Sequence, residues 1–167
     1  NNLGFTLQEL GQLDAAVKNY EMALAINSNY YEALNNLGDT LRELGQLDAA
    51  VKSYEKALVI NPDYSLAYYN LSLLKKYTAN DPQITKMKSL LSDSKLSRPH
   101  QINLCFALAK VNENLDNQDE FFKYLHKANR LYKQKYNYSF DKQQKFNIII
   151  KEIFNKKPPN IEKSLSF

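Results

Sequence analysis

The side chains of this chain best suited to nucleophilic or metal chemistry are Cys105, His100 and His126. A thiolate nucleophile needs a base beside it, and a metal site needs ligands at turn spacing. His100 and His126 stand far apart, and neither has ligand spacing to Cys105. Cys105 instead shares the apolar face of a predicted helix with Ile102, Phe106 and Ala109, where cysteine packs as a small hydrophobe. The four glycines at 4, 11, 38 and 45 all fall within one repeated pattern, so none is left for a phosphate-cradling loop. The sequence therefore offers no catalytic, cofactor-binding or metal-binding residue, and the chain as given is expected not to be an enzyme.

Amides are the polar chemistry that recurs at fixed spacing. Asn2, Asn36 and Asn70 are separated by 34 residues each, with Asn1 and Asn35 beside the first two. A side-chain amide offers donors and acceptors together, which matches a peptide unit without demanding a particular side chain. With Asp39, one helical turn beyond Asn35, the residues Asn2, Asn35, Asn36, Asp39 and Asn70 form the candidate peptide-binding set.

The elements that must carry these amides repeat at the same interval. The stretch GQLDAAVKNYEMALAIN at 11–27 returns as GQLDAAVKSYEKALVIN at 45–61, keeping 14 of 17 letters. NNLGFTLQEL at 1–10 returns as NNLGDTLREL at 35–44, and YNLSLL at 69–74 begins a third copy. In the complete copy, residues 31–64, Leu34, Leu37, Gly38, Leu41 and Leu44 fall on one face of a first helix. Ala50, Tyr54 and Ala57 fall on one face of a second. Gly45 suits the left-handed end of the first helix, Asp48 the start of the second, and Asn61-Pro62 its end. Gly38 inside a helix costs about 1 kcal/mol relative to alanine, which predicts a close helix approach there, opposite Ala50.

The set Leu37-Gly38, Ala50, Tyr54, Ala57 and Pro62 resembles the tetratricopeptide repeat signature. Leu3-Gly4, Ala16, Tyr20 and Ala23 repeat it, with Ser28 where proline is usual. The resemblance implies an all-α solenoid of stacked antiparallel helix pairs, which bury together the apolar faces that none can bury alone. It also implies a protein or peptide ligand on the concave face of the first helices. An asparagine ladder there resembles that of O-linked N-acetylglucosamine transferase arrays, which hold extended peptide backbone. Arrays that bind chaperone tails use a cationic clamp, whereas Asn35, Asp39, Leu66 and Asn70 include no cation, so that partner class is disfavoured.

Residues 1–76 are thus expected to hold the repeats: 1–30 truncated, 31–64 complete, and 65–77 the first helix of a third. Residue 1 already lies inside the first helix pattern, which suggests a piece of a larger protein with repeats upstream. Divergent repeat-like helices follow over 77–135. Asp81-Pro82 opens a helix bearing Ile84, Met87, Leu90 and Leu91, and Ser97–Pro99 opens another. Phe121, Leu125, Ala128 and Tyr132 mark the helix after that. Leu108-Ala109, Phe121, Leu125 and Ala128 read as a fourth copy, shifted by three inserted residues. A terminal helix over 136–157, with Phe146, Ile149, Ile150, Ile153 and Phe154 on one face, caps the array. Residues 158–167 form a tail or the start of a missing domain.

The order of segments over 77–155 resembles the connecting region of bacterial tetratricopeptide–sulfotransferase proteins. The segments are YTANDPQITKMKSLLSDSKLS, then LCFALAKVNENLDNQDEFFKYLHKANRLYK, then FDKQQKFNIIIKEIF. That resemblance implies a catalytic domain beyond this chain, and it carries no sulfotransferase site residue onto any position here.

Charge is uneven. Residues 1–80 carry 6 Lys/Arg against 9 Asp/Glu, net −3, and residues 81–167 carry 16 against 9, net +7. A basic second half could draw phosphate or an acidic partner, although a solvated lysine-rich helical surface explains it more simply. Nucleic acid is disfavoured because helical spacing turns the aromatics near 121–132 inward. The apolar runs are too short to cross a bilayer, so no membrane partner is expected. A single cysteine fits a reducing, cytoplasmic setting.

Overall fold

The turn Leu44-Gly45-Gln46 shows how the repeat is built. In the computed structural model, which describes residues 2–135, Gly45 takes a φ of +75°. Its N–H donates to Arg42 O at 3.0 Å and the Gln46 N–H to Leu41 O at 2.8 Å. This pair of bonds closes α3 (Tyr31–Glu43) and satisfies carbonyls the helix leaves open. Gly11, at φ +71°, closes α1 (Asn2–Glu9) with the same pair of bonds, to Gln8 O and Leu7 O. The second helices, α2 (Leu13–Ile26) and α4 (Leu47–Ile60), each carry an aspartate in the first turn, where the helix dipole favours negative charge. Asn27 and Asn61 then turn the chain, their side chains accepting from the N–H groups of Asn29 and Asp63.

Beyond the second copy the regularity fades. Helix α5 (Ser65–Ser72) stops well short of the expected 65–77, because no Gly-Gln-Leu-Asp turn follows it. A non-helical link leads to α6 (Pro82–Ser92), whose N-cap Asp81 accepts from the Gln83 N–H at 2.9 Å, with Pro82 at the first position. Helices α7 (Arg98–Asn114) and α8 (Gln118–Lys135) complete the described chain. Asp116 between them takes a φ of +54°, its N–H donating to Glu113 O and the Asn117 N–H to Asn112 O. Leu115-Asp116-Asn117-Gln118-Asp119 is thus a glycine-free form of the Leu44-Gly45-Gln46-Leu47-Asp48 turn, aspartate being one of the residues that tolerates this conformation. Among the described residues all regular structure is α-helical.

Helix α3 packs on α1's partner α2 and on its own partner α4, α4 packs on α5, and α5 packs on α7, which also receives α6. Gly38 admits the Tyr54 ring, not Ala50: a Cβ on Gly38 would lie 2.6 Å from Tyr54 Cε1. Gly4 admits Tyr20 in the same way, at 2.7 Å. The aromatic ring, bulkier than the alanine methyl, is what removes room for a side chain. Both tyrosines are fully buried, with Ala16, Ala50 and Ala57 around them. Each large apolar side chain so buried contributes roughly 1.5–3 kcal/mol. In α8 the inward face is Phe121, Tyr124, Leu125, Ala128 and Leu131, whereas Tyr132, expected inward, is 48% exposed. Tyr124 takes the buried position because it lies one turn before Ala128 on that stripe. The expected terminal helix over 136–157 and the tail over 158–167 lie outside the described residues.

Candidate functional site

The first helices lie side by side, and polar side chains join every step between them. From α1 to α3, the Gln8 amide donates to Glu43 Oε1 at 2.7 Å, and Gln8 Oε1 lies 3.2 Å from the Thr40 hydroxyl, whose nearer acceptor is Asn36 O at 2.9 Å. From α3 to α5, Asn70 Nδ2 donates to Asn35 Oδ1 and to Asp39 Oδ2, both at 3.1 Å. From α5 to α7, Asn103 Nδ2 donates to Ser65 Oγ at 3.3 Å. The Asn70 bonds satisfy groups that burial between helices would otherwise strand without water, whereas the Gln8–Glu43 bond is exposed.

Asp39 is the centre of the middle step. Its Oδ1 accepts from the Tyr54 hydroxyl at 2.9 Å and lies 3.4 Å from Arg42 Nη2. Its Oδ2 accepts from Asn70 and, at 3.3 Å, from Asn35. Burial pushes the Asp39 carboxyl above the usual range, and the Tyr54 hydrogen bond and Arg42 charge offset only part of that rise. Burial, then the Asp39 charge, pushes Tyr54 upward in turn, so its hydroxyl stays a donor. This arrangement can hold polar surface rigidly in place. Two carboxylate oxygens already receiving four donors are poorly suited to proton transfer.

The five candidate residues divide by accessibility. Asn35 is fully buried and Asn70 is 5% exposed, and the two are bonded to each other. The Asp39 side chain is 22% exposed. Asn36 is half-buried and Asn2 is exposed. The ladder therefore pairs Asn70 with Asn35, one position off the 34-residue register that relates it to Asn36. One position is about 100° around a helix, so Asn35 and Asn36 meet different neighbours, and Asn36 lies beside the buried Tyr20 hydroxyl. Tyr54, Arg42, Gln8 and Thr40 belong to the same polar seam and were not in the candidate set. Threonine recurs at 6 and 40, but each hydroxyl donates to the carbonyl one turn back, Asn2 O and Asn36 O, so the recurrence does not mark the seam.

A family model described as a TPR repeat matches residues 4–41 and again residues 38–75. Residues 4–75 are tetratricopeptide repeats. The tetratricopeptide array is also similar in fold to a crystal structure of MamA, with a TM-score of 0.60 and 24% identity over 82% of this chain and 78% of that one. A second structure, of MamA protein, gives 0.58 and 24% over 83% and 74%. At this identity the likeness is one of fold, and it extends beyond the two matched tetratricopeptide repeats. No curated protein sequence matches the chain.

Elsewhere in the array, Cys105 is buried and its thiol is pushed up to about 11 by that burial, which keeps it protonated. Among the described residues no group of His, Cys, Asp and Glu is arranged to hold a metal, and no helix is long and apolar enough to cross a membrane.

Proposed function

We propose that the chain is a protein-interaction module that holds an extended peptide segment of a partner along the concave face of α1, α3 and α5. Asn2 and Asn36 supply the amides that meet the ligand backbone, with the accessible edge of Asp39 beside them. Asn35 and Asn70 fix the floor beneath. The observation that carries the reading is the polar seam itself: neighbouring first helices are tied side chain to side chain, which gives a rigid polar surface one repeat after another. A preorganised surface binds an extended segment without an ordering cost of its own. Tetratricopeptide repeats generally mediate protein–protein contacts, and the repeats here belong to that type. The net −3 of residues 1–80, which hold this face, disfavours nucleic acid as its partner, and a reducing, cytoplasmic setting goes with the reading.

The test is peptide capture from a displayed library by the full chain, followed by affinity measurement on Asn2→Ala/Asn36→Ala. The proposal expects weaker binding at unchanged helicity, and equal affinity would remove it.

A second reading assigns residues 77–155 to the connecting region of a sulfotransferase. It rests on the order of the segments in the sequence, of which the first two hold α6 and most of α7 and α8. A phosphosulfate-binding loop encoded shortly after Phe167 would establish it, and a stop codon there would remove it.

A further inference from the structure

The two second helices are nearly identical in sequence, and the positions at which they differ lie together in space. Of the 17 residues compared between 11–27 and 45–61, three change: Asn19, Met22 and Ala25 become Ser53, Lys56 and Val59. At i, i+3 and i+6 these form one stripe of α4. All three line a groove between α2 and α4, made of two adjoining cavities of about 380 and 400 Å³. Leu34 and Leu37 of α3 form its floor, and Leu24 and Ile60 stand in its walls.

Of the residues the two copies share, Ala50, Tyr54 and Ala57 are held by packing. Of the three that differ, Lys56 and Val59 are exposed on an open apolar groove, and Ser53 is buried beside them, its hydroxyl donating to Ala49 O. Val59, an aliphatic residue in place of alanine, is 81% exposed there. Lys52 and Lys56 are exposed at the rim, and among the described residues neither is within 4.0 Å of a carboxylate. Glu55, the one acid among the lining residues, lies 3.9 Å from Lys75, whose closer partner is Asp81 at 2.9 Å. The groove therefore presents an apolar floor, and of the three charged residues lining it two are lysines that make no ion pair among the described residues.

We propose that this groove docks an acidic amphipathic segment of a partner protein, inserting one or two aliphatic side chains over Leu34 and Leu37 while its carboxylates meet Lys52 and Lys56. Helix-in-groove recognition works in this way, with apolar anchors supplying affinity and flanking charge supplying orientation and choice of partner. The lysine-rich segment 141–157 of this chain has the wrong sign of charge for this rim. The site is separate from the amide face of α1, α3 and α5, so each stands or falls alone.

The test uses the full chain and a short labelled helical peptide carrying two leucines one turn apart, flanked by glutamates, read by fluorescence anisotropy. Saturable binding is expected, weakened by about tenfold or more in Lys52→Glu/Lys56→Glu and lost when the peptide leucines become alanine. Val59→Asp, at an exposed position, is expected to lose binding with its circular dichroism unchanged. Asn2→Ala/Asn36→Ala is expected to bind this peptide like the parent chain. The proposal is overturned if the charge-reversed variant binds equally well, or if no peptide binds. Preference for a lysine-flanked peptide, or for a peptide of residues 141–157, overturns it too. So does a concentration-dependent dimer that the same Lys→Glu changes abolish, since the occupant would then be a second copy.

Discussion

The Tyr54 hydroxyl donates to Asp39 Oδ1 at 2.9 Å, tying the two helices of the complete repeat together at the point where the first helix meets its neighbour. Tyr54→Phe removes one hydrogen bond and is expected to cost about 1 kcal/mol. Asp39→Ala strands three donors at once, from Tyr54, Asn35 and Asn70. It is expected to cost more, roughly 2–3 kcal/mol in urea unfolding. Equal effects of the two variants would mean that the carboxylate does not organise the seam.

Acidity should act on the same group with a definite sign. Burial holds the Asp39 carboxyl above its usual 3.8, so the folded state binds that proton more tightly than the unfolded chain does. The stability owed to Asp39 therefore rises as pH falls through its raised value and levels off below the usual one. Unfolding midpoints of the parent chain and Asp39→Ala, measured from pH 7 downward, should draw apart in favour of the parent. A gap that narrows across this window would show a depressed carboxyl instead.

Gly38 and Tyr54 should be coupled. Gly38→Ala drives a methyl to 2.6 Å from the ring edge and is expected to destabilise by about 1–3 kcal/mol, although alanine is the better helix former. In α7 and α8 the equivalent positions hold Ala109 and Leu125, a larger residue facing a smaller one. Gly38→Ala/Tyr54→Leu should accordingly lose less than the sum of its parts, and strict additivity in a double-mutant cycle would deny the contact.

The first repeat lacks the acid that the second one has. Phe5 stands at the repeat position of Asp39 and is 54% exposed. The Tyr20 hydroxyl, the counterpart of Tyr54, is buried with no hydrogen-bond partner in range, although Asn36 lies near enough to influence its ionisation. Phe5→Asp supplies the missing acceptor and is expected to raise the thermal midpoint by a few degrees, for a gain of about 1 kcal/mol. The gain should vanish when Tyr20→Phe is added. A persistent gain would assign it to the helix dipole.

Much of this architecture was legible because packing enforces it at fixed spacing. Leu37, Gly38, Tyr54 and Ala57 recur at 34 residues since each must meet the same neighbour in the next unit, and the glycine turns recur because only a left-handed residue closes α1 and α3. The stop of α5 at Ser72 was not legible, since the stretch after it reads as helix until a missing turn ends it. Nor was the pairing of Asn70 with Asn35. Periodicity returns a residue to the same angle on its own helix, yet which neighbour a side chain reaches depends on how far adjacent helices are rotated. For the same reason the partner of Gly38 was misplaced by one helical turn, from Tyr54 to Ala50. Asp116 escaped notice as a turn residue because it is not glycine.

The central claim is that Asn2 and Asn36 meet a ligand backbone on the first-helix face. It is tested most directly by the affinity of a library-selected extended peptide for the parent chain and for Asn2→Ala/Asn36→Ala, with helicity followed in parallel. The account predicts a loss of about tenfold or more at unchanged helicity, equivalent to about 1.4 kcal/mol. Equal affinity in the two proteins would contradict it.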